Sequence, residues 1–170
     1  MSHTLLRPIG IIHSPHREQA GTPVQPVFAA GIRGTVTVFD PYVDALADLG
    51  GFERIWLLFA FHRSGTWTSR VVPYRHHEER GLFATRAPAR PNPIGLSVVR
   101  LLSIEGATLH VEDVDILDRS PLLDIKPYVP EFDSFPESRA GWLDEGLPGR
   151  TTADDRFAGD EGETKPGTDP

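Results

Sequence analysis

Three side chains in one proline-stiffened loop are set up to meet an anion. From Gly81 to Gly95 the chain reads Gly-Leu-Phe-Ala-Thr-Arg-Ala-Pro-Ala-Arg-Pro-Asn-Pro-Ile-Gly, which carries Arg86, Arg90 and Asn92. A residue before proline is driven to extended backbone, and proline fixes its own φ. Pro91-Asn92-Pro93 therefore has a locally set shape and holds these side chains at little further entropic cost. Two fixed guanidiniums suit a carboxylate, a phosphate or a purine; a surface loop with solvated arginines is the alternative. Downstream, Asp113, Asp115 and Asp118 crowd one short run, and such acid-rich strands need a solvated face or a partner. His76-His77-Glu78-Glu79 has the composition of a metal site but not the spacing, because adjacent ligands on a loop do not converge on one ion. No metal is expected.

The elements that must carry these groups are mostly strands. Leu5 to Ile12 and Gly31 to Phe39 have strand character, the second by alternating polar and apolar residues. The loop between them holds Pro15, Gly21, Pro23 and Pro26 and is long enough to suggest a function. Asp40-Pro41 has the form of a helix start, with Asp40 as N-cap, and Gly50-Gly51 of a stop. Ile55 to Phe61 is apolar on both faces, as in a central strand, and delivers His62-Arg63 at its end. A histidine there is ordinarily a surface or capping residue. Thr66 to Pro73 and Gly81 to Arg86 are further candidate strands. Leu96 to Ile104 and Thr108 to Leu117 form a hairpin across Glu105-Gly106-Ala107, and Ser120 to Ile125 is the last strand.

Six or seven short strands with one or two short helices predict a mainly β fold, most simply a small β-barrel. Alternating βαβ units are missing, and Gly31-Ile-Arg-Gly34 has the wrong spacing for a dinucleotide fingerprint. The 170 residues fit one domain. We assign residues 1–149 to the barrel and 150–170 to an acidic tail expected to be disordered. No apolar run reaches the ~18 residues of a membrane helix. The N-terminus lacks a signal-peptide pattern, and there is no cysteine. A cytoplasmic protein is the plain expectation. The net charge of −7 argues against indiscriminate nucleic-acid binding. However, residues 54–100 hold eight arginines against two acids, which is compatible with one basic face for an anionic partner.

The stretch from Gly81 to Gly95 resembles a signature of the TrmO family of tRNA methyltransferases. Asp113 to Pro130, with Asp-Ile-Lys-Pro-Tyr intact at 124–128, resembles the second signature. Gly10-Ile-Ile-His-Ser-Pro15, Gln25-Pro26 and Phe61-His62 are further matches, so the likeness runs from about Leu6 to Pro130. It implies a non-Rossmann S-adenosylmethionine-binding barrel, usually homodimeric, that methylates N6 of threonylcarbamoyladenosine at position 37, in the tRNA anticodon loop.

By position, the resemblance assigns Gln25, Pro26, Val27, His62, Arg63, Arg86, Leu96, Asp113, Val114, Asp115 and Ile116 to the cofactor pocket. Arg86 would meet the methionine carboxylate, and a carboxylate of the 113–116 run the ribose hydroxyls or the amino group. Asp118, Asp124, Lys126 and Tyr128 fall on the acceptor side as catalytic candidates. Each has a plainer role open to it: Asp124–Lys126 as a surface pair, Leu96 as core, Arg90 and Asn92 as braces of their loop. Val24 stands where typical bacterial members have arginine, and Arg119-Ser120 where they have Gly-Thr. Those members also continue into a small second domain. A non-catalytic S-adenosylmethionine sensor and a methyltransferase with a small-molecule acceptor are the alternatives.

Overall fold

The computed structural model describes residues 5–146 and 149–159. Six antiparallel strands close into a barrel in the order β1-β2-β7-β6-β3-β8. Their ranges are β1 Gly10–His13, β2 Arg33–Val38, β3 Arg54–Ala60, β6 Ile94–Glu105, β7 Thr108–Glu112 and β8 Ser120–Pro127. The short strands β4 Arg70–Val71 and β5 Arg80–Gly81 pair separately. Period-two alternation builds the interior. On β3, Ile55, Leu57 and Phe59 point inward and are buried, while Trp56, Leu58 and Ala60 are half-buried on the outer side. Val36, Val99, Leu109, Val111 and Leu122 join them to fill the barrel.

Two local devices set the site's frame. Gly95 pairs with Phe59 across β3 and β6, and a Cβ on it would stand 2.3–2.8 Å from three atoms of that ring. Only glycine lets the ring lie flat against the start of β6. The second device is a bulge. Leu58 faces Asp124, but the next residue, Phe59, faces Leu122, so Leu123 is the extra residue of β8. The bulge keeps Leu122 inside and turns Asp124 and Lys126 outward.

Several elements depart from the sequence-based expectation, among them Thr66 to Pro73, which pairs only at Arg70–Val71. Gly81 to Arg86 is not a strand: after Gly81 the chain turns through a 3-10 segment, Leu82–Ala84. Leu82 is drawn into a second apolar cluster with Val71, Ala87, Ala89 and Phe157, and the Thr85 hydroxyl donates back to its carbonyl at 2.8 Å. The strand from Thr108 stops at Glu112, because Asp113 takes a left-handed conformation (φ 69°). The Asp113 carboxylate accepts from Gly31 N–H and Arg54, both at 3.0 Å, which holds that conformation. Asp40–Leu46 is a 3-10 helix whose N-cap is Phe39, not Asp40.

The tail expectation also changes. Residues 149–159 are laid across the flank of the barrel. Thr152 bridges Pro23, and Ala158 bridges Ser64. Ala153 exchanges backbone hydrogen bonds with Gly21 and Thr22, and Phe157 is buried. The acidic composition misled here, because Asp154 is spent on Arg150 and Arg156, which hold its carboxyl down at about 2 through Arg156's hydrogen bond first. Residues 160–170, the rest of the expected tail, lie outside the described residues.

Candidate active site

A cavity of about 790 Å³ opens at the barrel end where β3 finishes and β6 and β8 begin. It is walled by the loop 19–25, the corner 59–64, the loop 73–75, the signature loop as it runs into β6 (83–97), the β7–β8 connection (115–120) and the C-terminal residues Trp142, Leu143, Ala153 and Phe157. Its size falls within the range of about 300–1,000 Å³ usual for small-molecule sites.

The polar groups converge from different elements. Arg86 donates to Gln25 Oε1 at 2.5 Å, which fixes one edge of its guanidinium while the side chain stays exposed. Asp115 sits on the connection from β7 to β8. Its Oδ1 is buried with no hydrogen-bond partner among the described residues. Burial pushes this carboxyl up to about 6, against the opposing pull of the Ser97 hydroxyl and the more distant Arg86 charge. The Oε1 atom of Gln19 is likewise buried without a partner, and Gln19 lines the same cavity. Both residues line one cavity, and each keeps an unpartnered acceptor buried in its wall, a cost that an N–H or O–H donor from a ligand would relieve.

His62 stands on the wall with Nδ1 3.4 Å from Ser120 Oγ. Desolvation, and then the neighbouring Arg63 charge, hold its pKa below the ordinary value, so the ring is neutral at pH 7. Arg63 and Arg90 turn guanidinium nitrogens onto backbone carbonyls, Arg63 onto Arg17 and Arg90 onto Thr85 and Ala87. The eight arginines of residues 54–100 thus divide. Arg54, Arg70, Arg80 and Arg100 pair with acids, whereas Arg63, Arg75, Arg86 and Arg90 line the cavity. Apolar surface comes from Phe59, Phe61, Leu96 and Ile116.

The structure therefore brings Gln25, His62, Arg63, Arg86, Leu96, Asp115 and Ile116 together at one cavity. It does not bring Pro26, Val27, Asp113 or Val114 there. Val27 is 76 % exposed. Asp113 is taken up by Gly31 and Arg54. Val114 is core, its N–H bonded to Ile32 and its carbonyl to the His16 ring. The four acceptor-side candidates also lie off the cavity wall. Burial works to raise the Asp118 carboxyl, but the Ser14 N–H, the His13 ring and its own neighbourhood outweigh that and hold it low. Asp124 pairs with Lys126 at 2.8 Å in the open, and Tyr128 packs edge-on against Trp56. Asp124 still shares an outward face with a wall residue. Leu96, Leu58 and Asp124 stand in one row across β6, β3 and β8, a span of about 10 Å.

Sequence reasoning missed Gln19, Tyr74, Arg75, Phe83 and the C-terminal wall. The long Pro-rich loop was a signal for Gln19, and the lone Trp142 and Phe157 in polar surroundings were signals for the wall; nothing local pointed to Tyr74 or Arg75. His76, from the rejected metal run, is buried, with Nδ1 accepting from Glu78 N–H and Nε2 beside Arg80 and Glu145.

Comparison with known proteins agrees with this architecture. The family described as the tRNA-methyltransferase O N-terminal domain matches residues 11–134. A probable S-adenosyl-L-methionine-binding protein of Pyrococcus abyssi is 54 % identical over 141 residues, covering 83 % of this chain and 77 % of that one. The tRNA (adenine(37)-N6)-methyltransferase of Escherichia coli is 36 % identical over 152 residues, covering 84 % and 65 %. A crystal structure of TrmO from Pseudomonas aeruginosa superposes with TM-score 0.70 at 41 % identity. That match covers 85 % of this chain and 62 % of the crystal chain, so this chain spans somewhat less than two thirds of the solved relative. The chain belongs to the TrmO family, as a copy of its N-terminal barrel domain.

Proposed function

We propose that the chain is an S-adenosylmethionine-dependent methyltransferase acting on N6 of adenosine 37 in the tRNA anticodon loop, with threonylcarbamoyladenosine as the acceptor. One observation carries the reading: Arg86, Asp115 and Gln19 line one cavity with aromatic walls, and the last two each bury an unpartnered acceptor in that wall. A zwitterionic amino acid joined to a nucleoside offers matching groups, namely a carboxylate for Arg86 and N–H or O–H donors for Asp115 and Gln19. Relatives named as S-adenosyl-L-methionine-binding proteins and as tRNA (adenine(37)-N6)-methyltransferases support the cofactor and the acceptor.

When bound, S-adenosylmethionine supplies a methyl group activated by its sulfonium. The protein's work is positioning and the exclusion of water. Gln25 holds Arg86 in place for a carboxylate. Phe59, Phe61 and Ile116 keep water from the interior wall. The acceptor nitrogen must lose a proton, and His62, kept neutral at the wall, is the group able to take it. Asp118, Asp124, Lys126 and Tyr128 serve the RNA side rather than the cofactor. Asp124 and Lys126 do so from the outward face that continues from Leu96.

A homodimer belongs to the same reading. The outer face of β3 and β6 presents Trp56, Leu58, Ile94 and Leu96, the last two 39 % and 50 % exposed, and a second copy can cover them. A cytoplasmic location goes with a tRNA substrate. Among the described residues no helix is long and apolar enough to cross a membrane.

The test is methyl transfer. Protein is incubated with methyl-labelled S-adenosylmethionine and tRNA carrying threonylcarbamoyladenosine. Label in that nucleoside, lost with Arg86→Ala, supports the enzyme. Tight cofactor binding with no transfer to any tRNA overturns it in favour of a sensor, the reading that the purely binding names of the archaeal relatives favour.

A further inference from the structure

Phe83 is out of keeping with its surroundings. It is 81 % exposed, more than any other large apolar residue on the described surface, yet it lies on the rim of the cavity. Its exposure is not the result of a loose loop. The turn Leu82–Ala84 that carries it is anchored on both sides. Leu82 is buried beneath it, and Leu82 N–H donates to Ser69 at 3.0 Å. The Thr85 hydroxyl donates to the Leu82 carbonyl at 2.8 Å, and Trp142 Nε1 donates to the Ala84 carbonyl at 2.8 Å. The Arg90 guanidinium lies over the Phe83 ring, 5.6 Å from its centroid. Arg90 is itself pinned, donating to Thr85 O at 3.0 Å and Ala87 O at 3.3 Å. A rigid, wet aromatic ring braced by an arginine is a surface prepared for a planar partner.

The partner comes from solvent. The groups suited to a small cofactor, Asp115 Oδ1 and Gln19 Oε1, are buried in the cavity, whereas Phe83 leaves most of its ring outside it. Four arginines line the same cavity, which favours a polyanion as the carrier of the planar group. We propose that Phe83 is a stacking platform for the nucleobase of the RNA acceptor, with Arg90 fixing the ring. This rests on the RNA-modifying reading above and adds a positioning residue to it.

The experiment uses the full chain and the variants Phe83→Ala, Phe83→Leu and Phe83→Trp. It measures the KM for tRNA and kcat in methyl transfer, S-adenosylmethionine affinity by calorimetry, the binding of an unmethylated anticodon stem-loop by fluorescence anisotropy, and the oligomeric state at assay concentration. Stacking on an aromatic side chain contributes about 1–3 kcal/mol per base. By about 1.4 kcal/mol per decade, Phe83→Ala should weaken stem-loop binding and raise the tRNA KM about 5- to 100-fold. Cofactor affinity should stay within about twofold on the same scale. Phe83→Trp should bind as wild type does, and Phe83→Leu should stay weak, because leucine is apolar but cannot stack.

Three outcomes overturn the proposal: leucine restoring full binding, cofactor affinity falling in step with the RNA term, or Phe83→Ala changing the oligomeric state. The first makes the ring a mere apolar cover, the second gives it to the cofactor, and the third to a second copy. The two readings also fail separately. Phe83-dependent stem-loop binding without methyl transfer keeps the platform and removes the enzyme. Methyl transfer that ignores Phe83 does the reverse.

Discussion

The barrel interior and the loop layer over its end are held together by different chemistry. Inside the barrel, cohesion comes from paired strands and alternating side chains such as Ile55, Leu57, Val99, Leu109 and Val111. In the loop layer, long-range order comes from a small apolar cluster around Leu82 and Phe157 and from arginines clipped to backbone carbonyls. Arg63 reaches Arg17, Arg75 reaches Arg150, and Arg156 reaches Val72 and Pro73. The first kind of order repeats along whole strands; the second rests on a few residues, each with its own partner. The cavity lies where the two meet, so its inner wall is rigid and its outer wall can be adjusted without refolding the barrel.

Leu57→Ala tests the interior. It should cost about 2–5 kcal/mol and should destroy cofactor binding only by unfolding the chain, so denaturant melts and binding should fail together. Asp115→Asn is the next largest in effect and has a sign that depends on pH. The folded carboxyl titrates at about 6, above its ordinary value of 3.8. Relative to an unperturbed acid, the neutral form's advantage is present in full below pH 3.8 and is lost as pH rises through about 6. Without ligand, the asparagine variant should therefore gain on wild type across that window, by on the order of 3 kcal/mol at neutral pH. It should bind the cofactor less well throughout. Urea melts at pH 4 and pH 7.5 check this, and a gain of equal size at both would contradict a buried carboxylate.

Arg86→Ala should lower cofactor affinity at least tenfold, a loss of about 1.4 kcal/mol in binding, with little change in melting temperature. The outer layer should respond more gently to Asp154→Ala. Its partner Arg150 is about half in solvent and Arg156 about a third, so about 1 kcal/mol is expected. Limited proteolysis should then cut near residues 149–159 before the barrel yields. Lys126→Ala should be nearly silent in stability, within about 0.5 kcal/mol, while lowering turnover on tRNA. A silent result in both would return Lys126 to the role of an exposed surface pair.

The same division explains what was legible in the sequence. Alternation exposed β2, a continuous apolar run exposed β3, and a turn sequence exposed the β6–β7 hairpin, because each of these signals lies among neighbours along the chain. Resemblance added part of the cavity: Gln25, His62, Arg86 and Asp115 lie together on its wall. It could not separate Asp115 from Asp113. Two residues apart, one is a buried acceptor without a partner, and the other folds back on Gly31 and Arg54 to end a strand. That difference depends on a positive φ and on an arginine far away in sequence. The docking of residues 149–159 was hidden for the same reason, since its contacts are with Pro23, Ser64 and Tyr74.

The bulge at Leu123 has a bearing on how this sequence can change with time. Strand lengths in a closed barrel leave little slack, yet here one residue acts as a hinge between two phases of the same strand. Deleting it would restore plain alternation, with Leu122 and Ile125 inward and Asp124 and Lys126 still outward, because the bulge residue takes no place in the pairing. One more residue taken into the pairing would instead carry Asp124 and Lys126 to the interior, so this stretch should tolerate the loss of a residue better than a gain. A homologous chain lacking that residue would keep the same outward face on a straighter strand.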